Sequence, residues 1–248
     1  MTDAERNSGP THRWVFLYSF GGKLLKAVIF DMDGVIIDSE PLHKKAERVT
    51  LSPYGISLSD EELNSYMGTE ARVLLANYID RYSLPVPFAE LYTAYRRNLI
   101  RIFEESVEPI PASLRLIREL RASEIRLAVG SSSHRDLVEL VLRKLGVADA
   151  FSVVVTGEDA ARSKPHPDIF IETVRRLGVE AGACLVIEDS ANGVRAAKAA
   201  GIRCLGFRNP TSAGQDLGEA DWIVDSMEAV GVADLRKWAE ADALPPES

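Results

Sequence analysis

The sequence predicts an α/β protein, an open parallel sheet with an all-helical segment inserted after its first strand. Three observations predict it. Short, almost wholly apolar runs recur along the chain, as expected of strands covered on both faces. Amphipathic helical patterns separate most of them, which is the rhythm of crossover connections. The stretch from 40 to 108 breaks that rhythm, with helical patterns and no convincing strand.

Residues 25–30 (LKAVIF) read as the first buried strand. Helical patterns follow at 41–51, 59–67, 71–82 and 88–105 within the insertion. Alternation then resumes, with a helix at about 111–123, a strand at 125–130 (IRLAVG), a helix at 134–145 and a strand at 151–155 (FSVVV). A helix at 167–177, a strand at 184–187 (CLVI), a helix at 190–200 and strands at 202–207 and 222–224 complete the pattern.

Composition narrows the function. Hydrophobic residues make up 46% and charged residues 27% of the 248, an ordinary globular balance. The length suits one large domain or one carrying an insertion. A net charge of −8 counts against a nucleic-acid or anionic-membrane partner, because phosphate-rich surfaces need a basic patch. No apolar run is long enough to cross a bilayer. Cys184 and Cys204 fall in strand-like runs and are expected as buried free thiols. Residues 14–20 are apolar, but the run is short and no A-x-A-like cleavage site follows it before the first strand, so the expected compartment is the cytoplasm. Residues 1–23 differ from the rest and are expected to be a loosely attached extension, or the product of a misassigned start site. The expected assembly is a monomer or weak homodimer.

In an open parallel sheet, ligands bind beyond the carboxyl ends of the strands. Asp31-Met32-Asp33-Gly34-Val35 leave the first strand and Ser131-Ser132-Ser133 the second. Lys164-Pro165-His166-Pro167-Asp168 follow the third by a loop, and Glu188-Asp189-Ser190 leave the fourth. Asp31, Asp33, Glu188 and Asp189 would gather four negative charges against one from Lys164. Like charges so close raise one another's pKa or demand a cation. A hard divalent ion with oxygen ligands, Mg²⁺ foremost, meets that demand. The Lys164 ammonium and the Ser131 hydroxyl suit phosphate oxygens, helped by backbone N–H groups near Gly34 and Ser132. Ser133 is better suited to capping the helix that follows it.

DMDGV at 31–35, a strand running into Ser131, Lys164 within KPHPD and Glu188-Asp189 within IEDS follow the order of the four motifs of the haloacid dehalogenase superfamily. The chain resembles its phosphatase and phosphomutase branch over roughly 25–207, and within it the β-phosphoglucomutase-like subgroup. Asp38-Ser39-Glu40-Pro41-Leu42-His43 looks like the start of that subgroup's helical cap. The resemblance implies a Rossmann-like, doubly wound core over 24–40 and 108–248, with a cap over 41–107. It implies that Asp31 attacks phosphorus to form an aspartyl-phosphate. Asp33 then serves as general acid to the leaving oxygen and as base to the incoming hydroxyl. That role needs a proton, which acidic neighbours would favour. Mg²⁺ would be held by Asp31, the carbonyl of Asp33 and Asp189, with Glu188 nearby or acting through water. The implied partner is a small phosphorylated metabolite, such as a sugar phosphate. His43 falls where relatives carry a histidine near the general acid.

In the cap, Arg72 and Arg97 are the expected contacts for a second phosphate or a sugar hydroxyl. Arg97-Asn98 resembles a lysine site of the mutases. MGTEAR at 67–72 instead puts Ala71 where an arginine is expected and Arg72 one residue late. One step along a helix turns a side chain by roughly 100°. The slip favours a phosphate-monoester hydrolase over its alternative, a mutase that returns the phosphoryl group to a sugar. A 2-haloacid dehalogenase would not need Asp33 as acid and base. A non-catalytic binding module would be expected to lose a charged motif residue, and none is missing. His134 and His166 are expected to be structural or solvent-facing, and His12 belongs to the extension.

Overall fold

The computed structural model describes residues 24–212 and 214–240; the extension at 1–23 lies outside them. Six strands form one sheet: β1 (Ala27–Phe30), β2 (Arg126–Gly130), β3 (Val153–Val155), β4 (Cys184–Glu188), β5 (Arg203–Phe207) and β6 (Trp222–Val224). Each begins within two residues of its expected start. Their order is β3-β2-β1-β4-β5-β6, and every neighbouring pair is parallel. The chain builds outward from β1 to β3, then returns to place β4 on the other flank of β1. That reversal opens a crevice beyond the ends of β1 and β4.

The helices follow from where apolar side chains point. Within the insertion lie α1 (Glu40–Leu51), α2 (Asp60–Ser65), α3 (Ala71–Tyr82) and α4 (Phe88–Glu105). Around the sheet lie α5 (Pro111–Arg121), α6 (Arg135–Lys144), α7 (Asp168–Leu177), α8 (Ala191–Ala199) and α9 (Val232–Glu240). Side chains alternate across a strand. Val28 and Phe30 accordingly join one core with Leu116, Val138 and Leu235, from α5, α6 and α9. Ala27 and Ile29 join the other with Phe170 and Val194, from α7 and α8. Helices on both faces make the core doubly wound, as the family resemblance implied. Cys184 and Cys204 are buried free thiols on the second face.

Helix α9 is absent from the sequence reading, which ends at the last strand. Its single turn-and-a-half of apolar spacing, Leu235 to Ala239, is short, yet both side chains are buried. Asp234 accepts from the Gly231 N–H at 2.9 Å, a first-turn acid satisfying a free donor.

Several contacts tie the insertion to the core, two sets of them away from the strand tips. Its entry and exit run side by side, with Ile110 N–H donating to Ile36 at 2.9 Å and Asp38 N–H to Glu108 at 2.9 Å. Farther out, α4 touches α6 through Arg96 and Asp136 at 3.0 Å and through Lys144, which donates to the Phe103 carbonyl at 3.1 Å. Among the described residues, no helix is long and apolar enough to cross a membrane.

Leu235→Ala should cost about 2–5 kcal/mol in chemical denaturation, the usual range for emptying a packed leucine site. A loss well below 1 kcal/mol would show that α9 does not belong to the core.

Candidate active site

Strand register sets the first layer of the site. Phe30 pairs with Val129 on one side and Ile187 on the other. Asp31, Gly130 and Glu188, each one residue farther on, therefore sit abreast at three neighbouring strand tips. Lys164 spans all three. Its ammonium donates to Asp31 Oδ1 at 2.5 Å, Glu188 Oε1 at 2.6 Å and the Gly130 carbonyl at 2.9 Å. An ammonium has three donors, so all are used. Burial pulls Lys164 down, but Asp31 and Glu188 outweigh it and hold its pKa above the ordinary value. Asp31 is pushed well up, chiefly by burial; Lys164 opposes the rise, while Glu188, Asp33 and Asp189 add to it.

Glu188 has little left to offer a metal. Its second oxygen accepts from the N–H groups of Asp189 and Ser190, each at 3.1 Å, and from the Ser190 hydroxyl at 2.9 Å. The expectation for Glu188 is a place near the metal or a link through water; with Oε1 bonded to Lys164 and Oε2 to three donors, most of its acceptor capacity is already used. Gly193, in the first turn of α8, leaves it room; a Cβ there would lie 1.8 Å from the carboxyl carbon. Asp189 turns the other way, accepting from the Ser212 hydroxyl at 2.7 Å. It packs against Gly34, where a Cβ would lie 1.9 Å from its Oδ2. Gly34 also has φ +75, a left-handed backbone that glycine adopts most cheaply. Burial first, then Glu188, pushes the Asp189 carboxyl up to about 8, against the pull of Ser212.

Asp33 departs from expectation. Acidic crowding falls on Asp31 and Asp189, while Asp33 faces donors. Its oxygens meet His43 Nε2 at 3.3 Å and the Ser133 hydroxyl at 2.7 Å, and Ser39 supplies another hydrogen bond. Burial would raise its pKa, but these partners hold it below the ordinary value. His43 is held above its own: burial opposes this, and the bond to Asp33 with the charges of Asp33, Glu40 and Glu47 prevails. In the imidazolium form both ring nitrogens donate, so the Tyr95 oxygen 3.1 Å from Nδ1 accepts. Of this pair it is thus His43, and not Asp33, whose hold on a proton is strengthened.

The second strand tip also differs in detail. Ser131 is fully buried and its Oγ accepts from the Ser133 N–H at 3.1 Å, so it braces the loop from behind. Ser132 and Ser133 form the cavity wall. Ser133 is not the helix cap; His134 holds that position without a side-chain cap bond.

Above these groups lies a cavity of about 350 Å³, roofed by α1, α3 and α4. Arg72 lines it, its guanidinium 4.7 Å from the centre of the Tyr92 ring. Arg97 does not. It is exposed and borders a separate groove with Val49, Pro53 and Glu90. The reason is helical phase: Tyr92, Tyr95 and Leu99 face the cavity, and Arg97, two residues past Tyr95, is turned by roughly 200°. His134 lines the cavity too and meets the Tyr92 hydroxyl at 2.7 Å. His43, Tyr95, Ser133 and Ser212 form much of the polar wall. Ser212 carries no motif signal, since it reaches the site from a 3-10 turn at Pro210–Ser212; Ser133 belongs to the serine run after the second strand, where the sequence suggests a helix cap instead.

The donor set fits a hard cation. Asp31 and Asp189 are buried acids whose proton affinities are both raised, and among the described residues Lys164 is the one cation bonded to this acidic group. Among the described residues, no three acid, imidazole or thiol side chains form a metal cluster by themselves. Mg²⁺ needs only one or two carboxylates, because it keeps waters and borrows substrate phosphate oxygens.

Charged strand tips of a parallel sheet under a helical roof make this the ligand site of an α/β enzyme. Residues 28–207 match the family described as haloacid dehalogenase-like hydrolase. The chain belongs to that family. A probable pseudouridine-5'-phosphatase from Drosophila melanogaster is 31% identical over 214 residues, 83% of this chain and 92% of that one. A phosphorylated carbohydrates phosphatase from Thermotoga maritima is 32% identical, spanning 79% of this chain and 91% of its own. The crystal structure of CbbY from Rhodobacter sphaeroides in complex with phosphate superimposes with a TM-score of 0.79 at 29% identity, covering 86% of this chain and 99% of that one.

Asp189 supplies a pH signature. With an ordinary value of 3.8 raised to about 8, the folded metal-free protein holds a proton here that the unfolded chain releases. Stability therefore falls as pH rises between those values, by at most about 1.4 kcal/mol per pH unit. In EDTA, melting temperature should drop from pH 5 to pH 8, and Asp189→Asn should flatten the slope. An unchanged slope in that variant would place the titration elsewhere.

Proposed function

We propose that the chain hydrolyses small phosphate monoesters, sugar phosphates foremost, through a phosphorylated Asp31. The observation that carries this reading is the division of labour among the acids. Asp31 is held by Lys164 at the floor of the cavity, while Asp33 shares a proton with His43 beside it. Asp31 attacks phosphorus, the bond to the leaving oxygen breaks, and that oxygen takes the proton stored on the Asp33–His43 pair. Water then attacks the aspartyl-phosphate, Asp33 accepts its proton, and inorganic phosphate departs. Asp31, Asp189 and the Asp33 carbonyl would hold Mg²⁺, which when bound offsets the negative charge between carboxylate and phosphate. Lys164 reaches a phosphate oxygen by exchanging one of its three present bonds. Backbone N–H groups near Gly34 and Ser132, with Ser133, take the others.

The relatives support this assignment, because they are described as phosphatases of a nucleoside phosphate and of phosphorylated carbohydrates. Segment 41–107 serves as the cap that encloses the leaving group, over a core formed by 24–40 and the described residues from 108 onward. The mutase alternative is less well served. With Arg97 turned away, Arg72 is the one lysine or arginine that the insertion contributes to the cavity among the described residues.

The test is a screen of phosphorylated metabolites read by free phosphate, run beside an isomer assay on β-glucose 1-phosphate. Phosphate release is expected; isomer formation without it would identify a mutase. Asp31→Asn should lower turnover by about three orders of magnitude or more while the fold survives. A folded variant with near-normal activity would remove Asp31 from the chemistry. EDTA should silence the enzyme and added Mg²⁺ restore it, and full turnover after chelation would refute the metal's role.

A further inference from the structure

Glu47 lies on α1 four residues beyond His43, hence on the same side of the helix. It is 6% exposed and lines the cavity. Its Oε2 accepts from the Tyr78 hydroxyl at 2.6 Å, which is its only hydrogen bond among the described residues; it has no ion pair among them. Burial raises its pKa, with Tyr78 opposing. An acid so placed carries a desolvation cost that this hydroxyl, with the charges of His43 and Lys44, only partly offsets. Tying α3 to α1 would not require the charge, because a glutamine accepts the same bond from Tyr78.

The setting suggests what the charge is for. Four residues of helix rise by about 6 Å, so Glu47 sits beyond His43, facing what a substrate carries past its scissile oxygen. Glu40, Glu70 and Glu158 line the same cavity, against Arg72, Lys164 and the imidazoles of His43 and His134; Lys44 pairs with Glu40, and Arg96 and His134 pair with Glu158. A second phosphate or a carboxylate beside Glu47 would meet a carboxylate that no ion pair neutralises among the described residues, whereas hydroxyl or ammonium donors would supply the bonds that Glu47 lacks.

We infer that Glu47 is a specificity residue, selecting monophosphates whose leaving group offers hydrogen-bond donors and carries no second anion. This inference rests on the phosphatase reading and names the substrate class for it.

The experiment compares kcat/KM of the wild type, Glu47→Gln and Tyr78→Phe. The substrates are glucose 6-phosphate, glucosamine 6-phosphate, fructose 1,6-bisphosphate, 2-phosphoglycolate and the reference p-nitrophenyl phosphate. The wild type should favour the first two over the doubly anionic pair. Glu47→Gln keeps the shape and the Tyr78 bond, and should shrink that preference roughly tenfold to a hundredfold, mainly through KM. A larger effect on the amino sugar would mark an ammonium as the group received, and an equal effect a hydroxyl. Tyr78→Phe, which keeps the acid, should retain the preference. A preference unmoved by Glu47→Gln, or erased equally by Tyr78→Phe, would reduce Glu47 to a structural role and leave the phosphatase reading intact. Absence of phosphate release from every substrate, the reference included, would instead defeat that reading and this inference with it.

Discussion

One ammonium group organises this molecule's chemistry. Lys164 bonds to three adjacent strand tips at once, through Asp31, Gly130 and Glu188. Those tips come abreast because parallel pairing fixes the register of β1 against β2 and β4. A single positive charge cannot neutralise the acids assembled there, and burial raises the cost of every unpaired one. The fold therefore creates a deficit that it does not fill by itself. That deficit is what makes a divalent cation and a substrate phosphate fit together at this edge of the sheet.

The acids are sorted by what faces them. Burial lifts Asp31 and Asp189, and neighbouring carboxylates add to the rise; Asp33, only two residues from Asp31, is buried too, but the donors it looks toward outweigh that and its pKa falls. The turn through Gly34 makes this possible, since it sends the chain back past Asp189 and lifts Asp33 toward α1. Nearness in sequence thus conceals two electrostatic environments, one suited to attack on phosphorus and one suited to handling protons.

The strand tips were legible because a parallel sheet delivers its carboxyl ends to one edge whatever the details. Asp31, Lys164, Glu188 and Asp189 needed only strand order and motif order to be grouped. Orientation was harder to foresee. A serine before a helix reads as a cap, yet Ser133 bonds to Asp33 instead. Arg97 sits on a cavity-lining helix but at the wrong phase. Asp33 looked crowded by acids when only the chain was known, because His43 and Ser39 approach it from across a tertiary contact. Ser212 and α9 lie past the last motif, where short turns and a short helix carry little periodic signal.

Two of the groups around Asp33, His43 and Tyr95, belong to the inserted helices, while Asp33 belongs to the core. The paired crossings at Ile36–Ile110 and Asp38–Glu108 are the joint about which these parts would swing. Swinging apart would strip Asp33 of its imidazole and leave a carboxylate without a proton to lend. The acid step alone, donation to a leaving oxygen, would thus depend on the inserted helices lying over the core.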